Sequence, residues 1–195
     1  MPSPKSVALV IGTLSGVGMH AAFRPAQVGH TVVATMRSVG KADMLRSTEA
    51  SAGVEVGLRA LDVTNDQQAR SVVESVLADH GRVDVLVNNA GQGLVGTIKE
   101  LRLDDLRSQV EVNYISVARM TRLVLRAMRA RRSGRIVTVN TVGGVMGQPY
   151  NGSYCATKFA TEGFMESPAP IAAQLNVQVS VVEPGAAPRI SCQSQ

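Results

Sequence analysis

Residues 6–18 read SVALVIGTLSGVG, an apolar, β-branched run that breaks at Gly12 into a loop with further glycines at Gly16 and Gly18. The run has the length and composition of a buried strand, and residues 16–28 carry helical spacing. The glycines therefore sit in a strand-to-helix turn. Glycine there lets backbone approach a bound pyrophosphate, and the first N–H groups of the helix point at the anion. Gly12, Ser15, Gly16, Val17 and Gly18 are candidate contacts for a dinucleotide.

The same alternation recurs outward from this stretch. Runs at 31–35, 54–61, 83–89, 135–140 and 177–183 read as buried strands, and stretches near 41–51, 66–80, 104–131 and 154–174 read as further helices. Strands separated by helices run parallel with right-handed crossovers. That predicts an α/β fold: a Rossmann-type doubly wound parallel sheet of about six strands, helices on both faces, in a single domain. Ligands of such sheets bind beyond the carboxyl ends of the strands. Those ends carry the glycine loop, Arg37, Asp62, Asn88–Gly91, Thr141 and Pro184–Gly185.

Composition excludes several classes. The net charge of +5 owes much to RLVLRAMRARRSGR, but Leu, Val and Met interleave its arginines where a nucleic-acid surface would want aromatics. A solvated helix face is the expectation, with no nucleic-acid partner. Cys155 and Cys192 form no CxxC pair, which predicts a reducing, cytoplasmic setting without a disulfide or zinc site. His20, His30 and His80 lie far apart, so no metal site is expected. No apolar run reaches membrane-spanning length, and the lead MPSPKSVALVIG predicts no secretory signal.

The stretch SYCATK (153–158) places Tyr154 four residues before Lys158, with Thr141 thirteen residues before the tyrosine. A phenol with an ordinary pKa near 10 is a reluctant proton carrier at neutral pH. A lysine at i+4 shares its helix face, favours phenolate, and can reach the ribose hydroxyls of a nearby nucleotide. The chemistry these residues suit is Tyr154 as acid/base, Lys158 as tuner and cofactor ligand, and Thr141 as orienter of a substrate oxygen. The alternative is an exposed Tyr and Lys on a helix surface. About twenty residues past the glycine loop, VVATMRS offers Arg37 and no acid between Thr31 and Lys41. A guanidinium pairs with a 2′-phosphate, which favours NADP, with NAD as the alternative.

Taken together, GTLSGVG, LDVT, NNAG, EVNYIS, GRIVTVNTVGG, YCATKFATEGF and VVEPG resemble the short-chain dehydrogenase/reductase family in order and spacing, over about residues 5–185. YCATKFATEGFMES and VGGVMGQPYN are most similar to 17β-hydroxysteroid and retinol dehydrogenases. The resemblance implies NAD(P)-dependent hydride transfer to or from a small hydrophobic carbonyl or secondary alcohol, steroid- or retinol-like. It also implies that Asp62 and Val63 border the adenine, and that Asn88, Ala90 and Gly91 line the cofactor cleft. Asn113 would hold a proton-relay water near Lys158, with a polar contact in the helix interior as the alternative, and Pro184 and Gly185 would flank the nicotinamide. A homodimer or homotetramer would form through the two long helices.

The chain departs from the family pattern at several points. Ile11 replaces the threonine that ties the glycine loop to the NNAG strand, and Thr141 replaces serine. Pro25 predicts a kink near Ala21–Phe23, and Pro168 and Pro170 predict an end or bend after Met165. After Gly185 the sequence reads AAPRISCQSQ, with Arg189 where a threonine is usual. The family's substrate-covering segment is expected to be missing, leaving the sixth strand as a raw edge. A second reading therefore stands beside the enzyme: a cofactor-binding pseudoenzyme or interaction subunit with impaired catalysis.

Overall fold

The structure is a computed structural model that describes residues 5–185; Arg189 and Cys192 lie outside them. Six parallel strands form one sheet: β1 (Val7–Ile11), β2 (Thr31–Met36), β3 (Gly57–Ala60), β4 (Val85–Asn88), β5 (Gly134–Val139) and β6 (Val177–Val182), in the order β3-β2-β1-β4-β5-β6. The order reverses direction at β1 and β4, which opens a crevice at their carboxyl ends. The helices are α1 (Gly16–Gln27), α2 (Asp43–Ala52), α3 (Asp66–His80), α4 (Leu103–Val110), α5 (Ser116–Arg131), α6 (Gly152–Glu166) and α7 (Ala169–Gln174). Strands β3 and β4 are shorter than their apolar runs; β3 is an edge strand with exposed ends, while β4 is central.

Side-chain alternation on β1 divides the core. Ala8 and Val10 pack with Met19, Ala22 and Phe23 of α1 and Leu45 of α2. Val7, Leu9 and Ile11 pack on the other face with Val72 and Val76 of α3, Met120 and Val124 of α5, and Met165 of α6. On the α1–α2 face, Val85, Val137 and Val139 of β4 and β5 stay only partly buried. Strand β6 is an edge of the sheet, with Val182 46% exposed.

The prolines act differently from one another. Helix α1 runs unbroken to Gln27, so the kink expected at Ala21–Phe23 is not marked by any interruption. Pro25 falls in the last turn, where only the Ala21 carbonyl loses its donor. The chain leaves that helix through His30 N–H donating to the Pro25 carbonyl at 3.0 Å. The long helix expected over 154–174 does divide, at Glu166. Pro168 caps α7 and Pro170 lies in its first turn, where the missing N–H costs least. The Tyr154 helix thus keeps its full ladder through Glu166.

The helical rod expected over 104–131 contains a π-helical turn, Glu111–Ile115, between α4 and α5. Such turns are rare and cluster at functional sites. This one carries Asn113, and Tyr114 braces it edge-on against Phe164 of α6, with ring centroids 5.7 Å apart.

Candidate active site

The glycine loop is held from two sides. The N–H groups of Gly12 and Thr13 donate to the Thr35 carbonyl at 3.1 and 2.9 Å, and the buried Thr13 hydroxyl donates to the same oxygen. From the other side, Asn89 Nδ2 donates to the Gly12 carbonyl at 2.6 Å. Asn89 therefore supplies a tie between the loop and the NNAG segment, while Ile11 is buried core. Gly12 has φ 80°, and an added Cβ would lie 2.7 Å from Ala90 Cα, so no larger residue fits. Gly18 meets Gly12 O and Asn89 just as closely. Ser15 precedes α1 and makes no capping bond, which leaves the first-turn N–H groups without a side-chain acceptor.

A groove crosses the carboxyl ends of the strands in two connected parts that share Asn89, Gly91 and Gln92. The first, about 450 Å³, is lined by Gly12, Ser15, Arg37, Asp62, Val63, Ala90 and Gly91, as expected, and also by Leu14, Ser38 and Lys41. The Thr64 hydroxyl and N–H, at 2.7 and 3.0 Å, hold the Asp62 carboxyl below the usual carboxylate range, and Arg37 adds to this. The second part, about 570 Å³, gathers Val17, Thr141, Tyr154, Lys158, Pro184 and Gly185. Gly16 and Gly18 shape the loop without lining either part.

Asn88 requires a correction. It follows Leu86 onto the face covered by α5, is 3% exposed, and donates to the Thr121 and Thr138 hydroxyls at 3.2 and 3.4 Å. Asn89, the first residue beyond the strand, faces the groove instead. The two adjacent asparagines are identical in type, and only the end of β4 decides between them.

Lys158 is 6% exposed, with Nζ donating to the Val139 carbonyl at 3.2 Å and lying 5.7 Å from the Tyr154 ring centroid. Burial lowers its pKa to about 8, against a smaller upward pull from Glu162. Tyr154 is half-buried, and desolvation, then the neighbouring Cys155, pushes its phenol above the ordinary value. Cys155 itself is a buried free thiol. Thr141 begins the turn after β5 on the same wall.

Asn113 stands behind this pair as a brace. Its Oδ1 accepts from Gln92 N–H at 2.8 Å, and its Nδ2 donates to the Gln92 carbonyl at 2.8 Å and the Thr157 hydroxyl at 3.0 Å. Both amide protons are committed to protein. Its backbone carbonyl accepts from Thr161 Oγ1 at 3.0 Å. These contacts fix the Gly91–Gln92 backbone beside Lys158, as the alternative of a polar contact in a helix interior expects. Arg119 of α5 links this turn to the distant end of the groove, donating to Glu111 at 2.6 Å, to the Val63 carbonyl at 2.5 Å, and to Asp66. Sequence reading gave no role to Lys41, Arg119 or Asn140, and it took Asn89 only as part of the NNAG strand end; Asn89 and Asn140 lie inside quoted motifs, but their partners are far away in the chain.

A glycine-cradled loop at the crevice of a doubly wound sheet, beside a paired Tyr and Lys, defines a nucleotide-dependent oxidoreductase class. The chain belongs to the short chain dehydrogenase family, which it matches over residues 6–188. It is 40% identical over 190 residues to human retinol dehydrogenase 8, covering 94% of this chain and 59% of that one. To human 17-beta-hydroxysteroid dehydrogenase type 1 it is 37% identical over 188 residues, covering 93% and 56%. The chain thus spans less than two thirds of these relatives' lengths.

Among solved structures it is similar to a short-chain dehydrogenase from Streptomyces avermitilis (TM-score 0.89, 37% identity, 96% of this chain, 68% of that one). It is also similar to a metagenomic short-chain oxidoreductase in complex with NADP (0.87, 32%, 93% and 82%) and to an NAD+-bound xylitol dehydrogenase (0.87, 28%, 94% and 71%). Among the described residues no helix is long and apolar enough to cross a membrane, and no cluster suits a metal ion.

Proposed function

We propose that this chain is an NADP-preferring oxidoreductase acting on a hydrophobic carbonyl or secondary alcohol, steroid- or retinol-like. The observation that carries the reading is the continuity of the groove from Gly12 through Gly91 to Tyr154, Lys158 and Thr141. Gly12 and the open first turn of α1 suit a pyrophosphate, and Val63 suits the adenine edge. Nicotinamide, when bound, supplies or accepts the hydride. Tyr154, kept protonated by burial, stands as the proton donor to a substrate oxygen held by Thr141. Lys158 sits one turn along α6, where its ammonium favours the phenolate left behind. Exposed apolar side chains lining the groove (Val17 and Val95) suit a hydrophobic substrate.

The preference for NADP rests on Arg37, Ser38 and Lys41 at the far end of the groove. Arg37→Asp is expected to weaken NADPH binding about 10- to 100-fold, the value of a charge-assisted contact of about 1.5–3 kcal/mol, while leaving NADH within a few-fold of the parent. Fluorescence titration of both nucleotides checks this; equal losses for the two would remove Arg37 from phosphate recognition.

Turnover is tested by following NADPH consumption with a panel of steroid ketones and retinoid aldehydes. Reduction of at least one at a rate above the protein-free background is the expected result. A second reading, a nucleotide-binding chain with impaired catalysis, is favoured by the partly exposed β4–β5 face. Nucleotide binding with no consumption across the panel selects it.

A further inference from the structure

Asn140 is a buried polar residue that none of the roles above uses. It ends β5 directly before Thr141, is 4% exposed, and donates from Nδ2 to the Lys158 carbonyl at 3.1 Å and to Glu162 Oε2. Glu162 lies on α6 one turn beyond Lys158, as Lys158 lies one turn beyond Tyr154. The three share one face of the helix. Asn140 therefore pins the Thr141 turn to that face at two points and holds a carboxylate in a fixed place one helical turn beyond a buried lysine. Gly144 makes room for this, since any side chain there would overlap the Asn140 amide.

We infer that Glu162, clamped by Asn140, is a positioning residue for the reaction: it keeps the Lys158 side chain charged without pairing with it directly. No ion pair forms between the two among the described residues, because Lys158 Nζ turns to the Val139 carbonyl and Glu162 to Asn140. A direct pair would draw the ammonium away from Tyr154. A fixed carboxylate one turn away offsets its desolvation and leaves its donors aimed at the groove. The inference rests on the Tyr154–Lys158 reading above.

The other elements packed on α6 bring little competing charge. Glu111 of the π-turn is committed to Arg119, and Tyr114 stacks on Phe164. In α4, Asp104 pairs with Arg107, and Asp105 is the remaining acid. The turn Val142–Gly144, α7 and β6 contain no charged residue. On α6 itself, Tyr154 and Cys155 are the other titratable groups near Lys158, and Glu166 lies a further turn beyond Glu162.

Glu162→Gln separates charge from shape, because a glutamine carbonyl oxygen still accepts from Asn140. The readout is NMR titration of 13Cε-labelled lysine, with Lys5, Lys41 and Lys99 as internal references. The Lys158 midpoint is expected to fall by roughly one pH unit in the variant, a typical effect of losing a nearby opposite charge, while the reference lysines do not move. The basic limb of the kcat profile for NADPH-dependent reduction should fall by the same interval, with KM for NADPH unchanged. An unchanged Lys158 midpoint overturns the inference. If the single variant does not fold, Asn140→Ala with Glu162→Ala, which removes both partners of that bond, carries the same test. The midpoint is read whether or not the chain turns over, so failure of the proposed reaction and failure of this inference are separately visible.

Discussion

Tyr154→Phe is expected to reduce turnover by about 100- to 10,000-fold while leaving nucleotide binding and the thermal midpoint close to the parent's. The substitution removes one oxygen, and that oxygen has no hydrogen-bond partner among the described residues, so little stability is lost with it. Its ring, which carries the contact with Lys158 at 5.7 Å, is retained. The loss falls on the proton that must reach the substrate oxygen as the hydride reaches carbon. It should therefore appear in kcat, with Kd for NADPH unchanged. Rate measurements and nucleotide titration on the same preparation decide the matter. A variant that retains more than a tenth of the parent rate would remove Tyr154 from the acid's role.

The second large effect has the opposite sign in stability. Lys158→Met should abolish turnover and yet stabilise the unliganded chain by about 1–3 kcal/mol at pH 7. Lys158 titrates near 8 in the fold and at an ordinary 10.5 when unfolded. The unfolded chain therefore binds the proton more tightly, and folding carries a penalty while the lysine must be charged. That penalty is full below about pH 8 and disappears as pH rises to 10.5. A drop of this size corresponds to about 3 kcal/mol, and the Val139 carbonyl, left without its donor, takes back about 1 kcal/mol. Urea unfolding of parent and variant from pH 7 to 10.5 should show the variant ahead at pH 7, with the gap closing above pH 8. A variant no more stable than the parent at pH 7 would mean that the ammonium is not held at a cost. Tolerating such a cost for a single buried charge fits a residue kept for chemistry rather than packing.

Much of this was legible in the sequence because it is local. The glycine loop, the i, i+4 spacing of Tyr154 and Lys158, and the missing acid near Arg37 each lie within one turn or one strand end. Strand–helix alternation leaves few topologies, and the observed order is one of them. The readings that failed depend on a boundary or on a distant contact. Asn88 and Asn89 trade roles according to where β4 stops. Pro25 is benign because α1 ends two residues later, a position the apolar pattern does not fix. The partners of Asn113, Gln92 and Thr157, are 21 and 44 residues away, so the sequence could not name them. Asn140 and Glu162, 22 residues apart, gave no signal of their own.

Thermal unfolding of the purified chain, alone and with NADPH or NADH, tests the central proposal most directly. A nucleotide at about 100 times its Kd stabilises the fold by about 2.7 kcal/mol, a shift of several degrees for a domain of this size. The groove described here predicts one cooperative transition, raised by NADPH more than by NADH at equal concentration. A transition that neither nucleotide moves would contradict it.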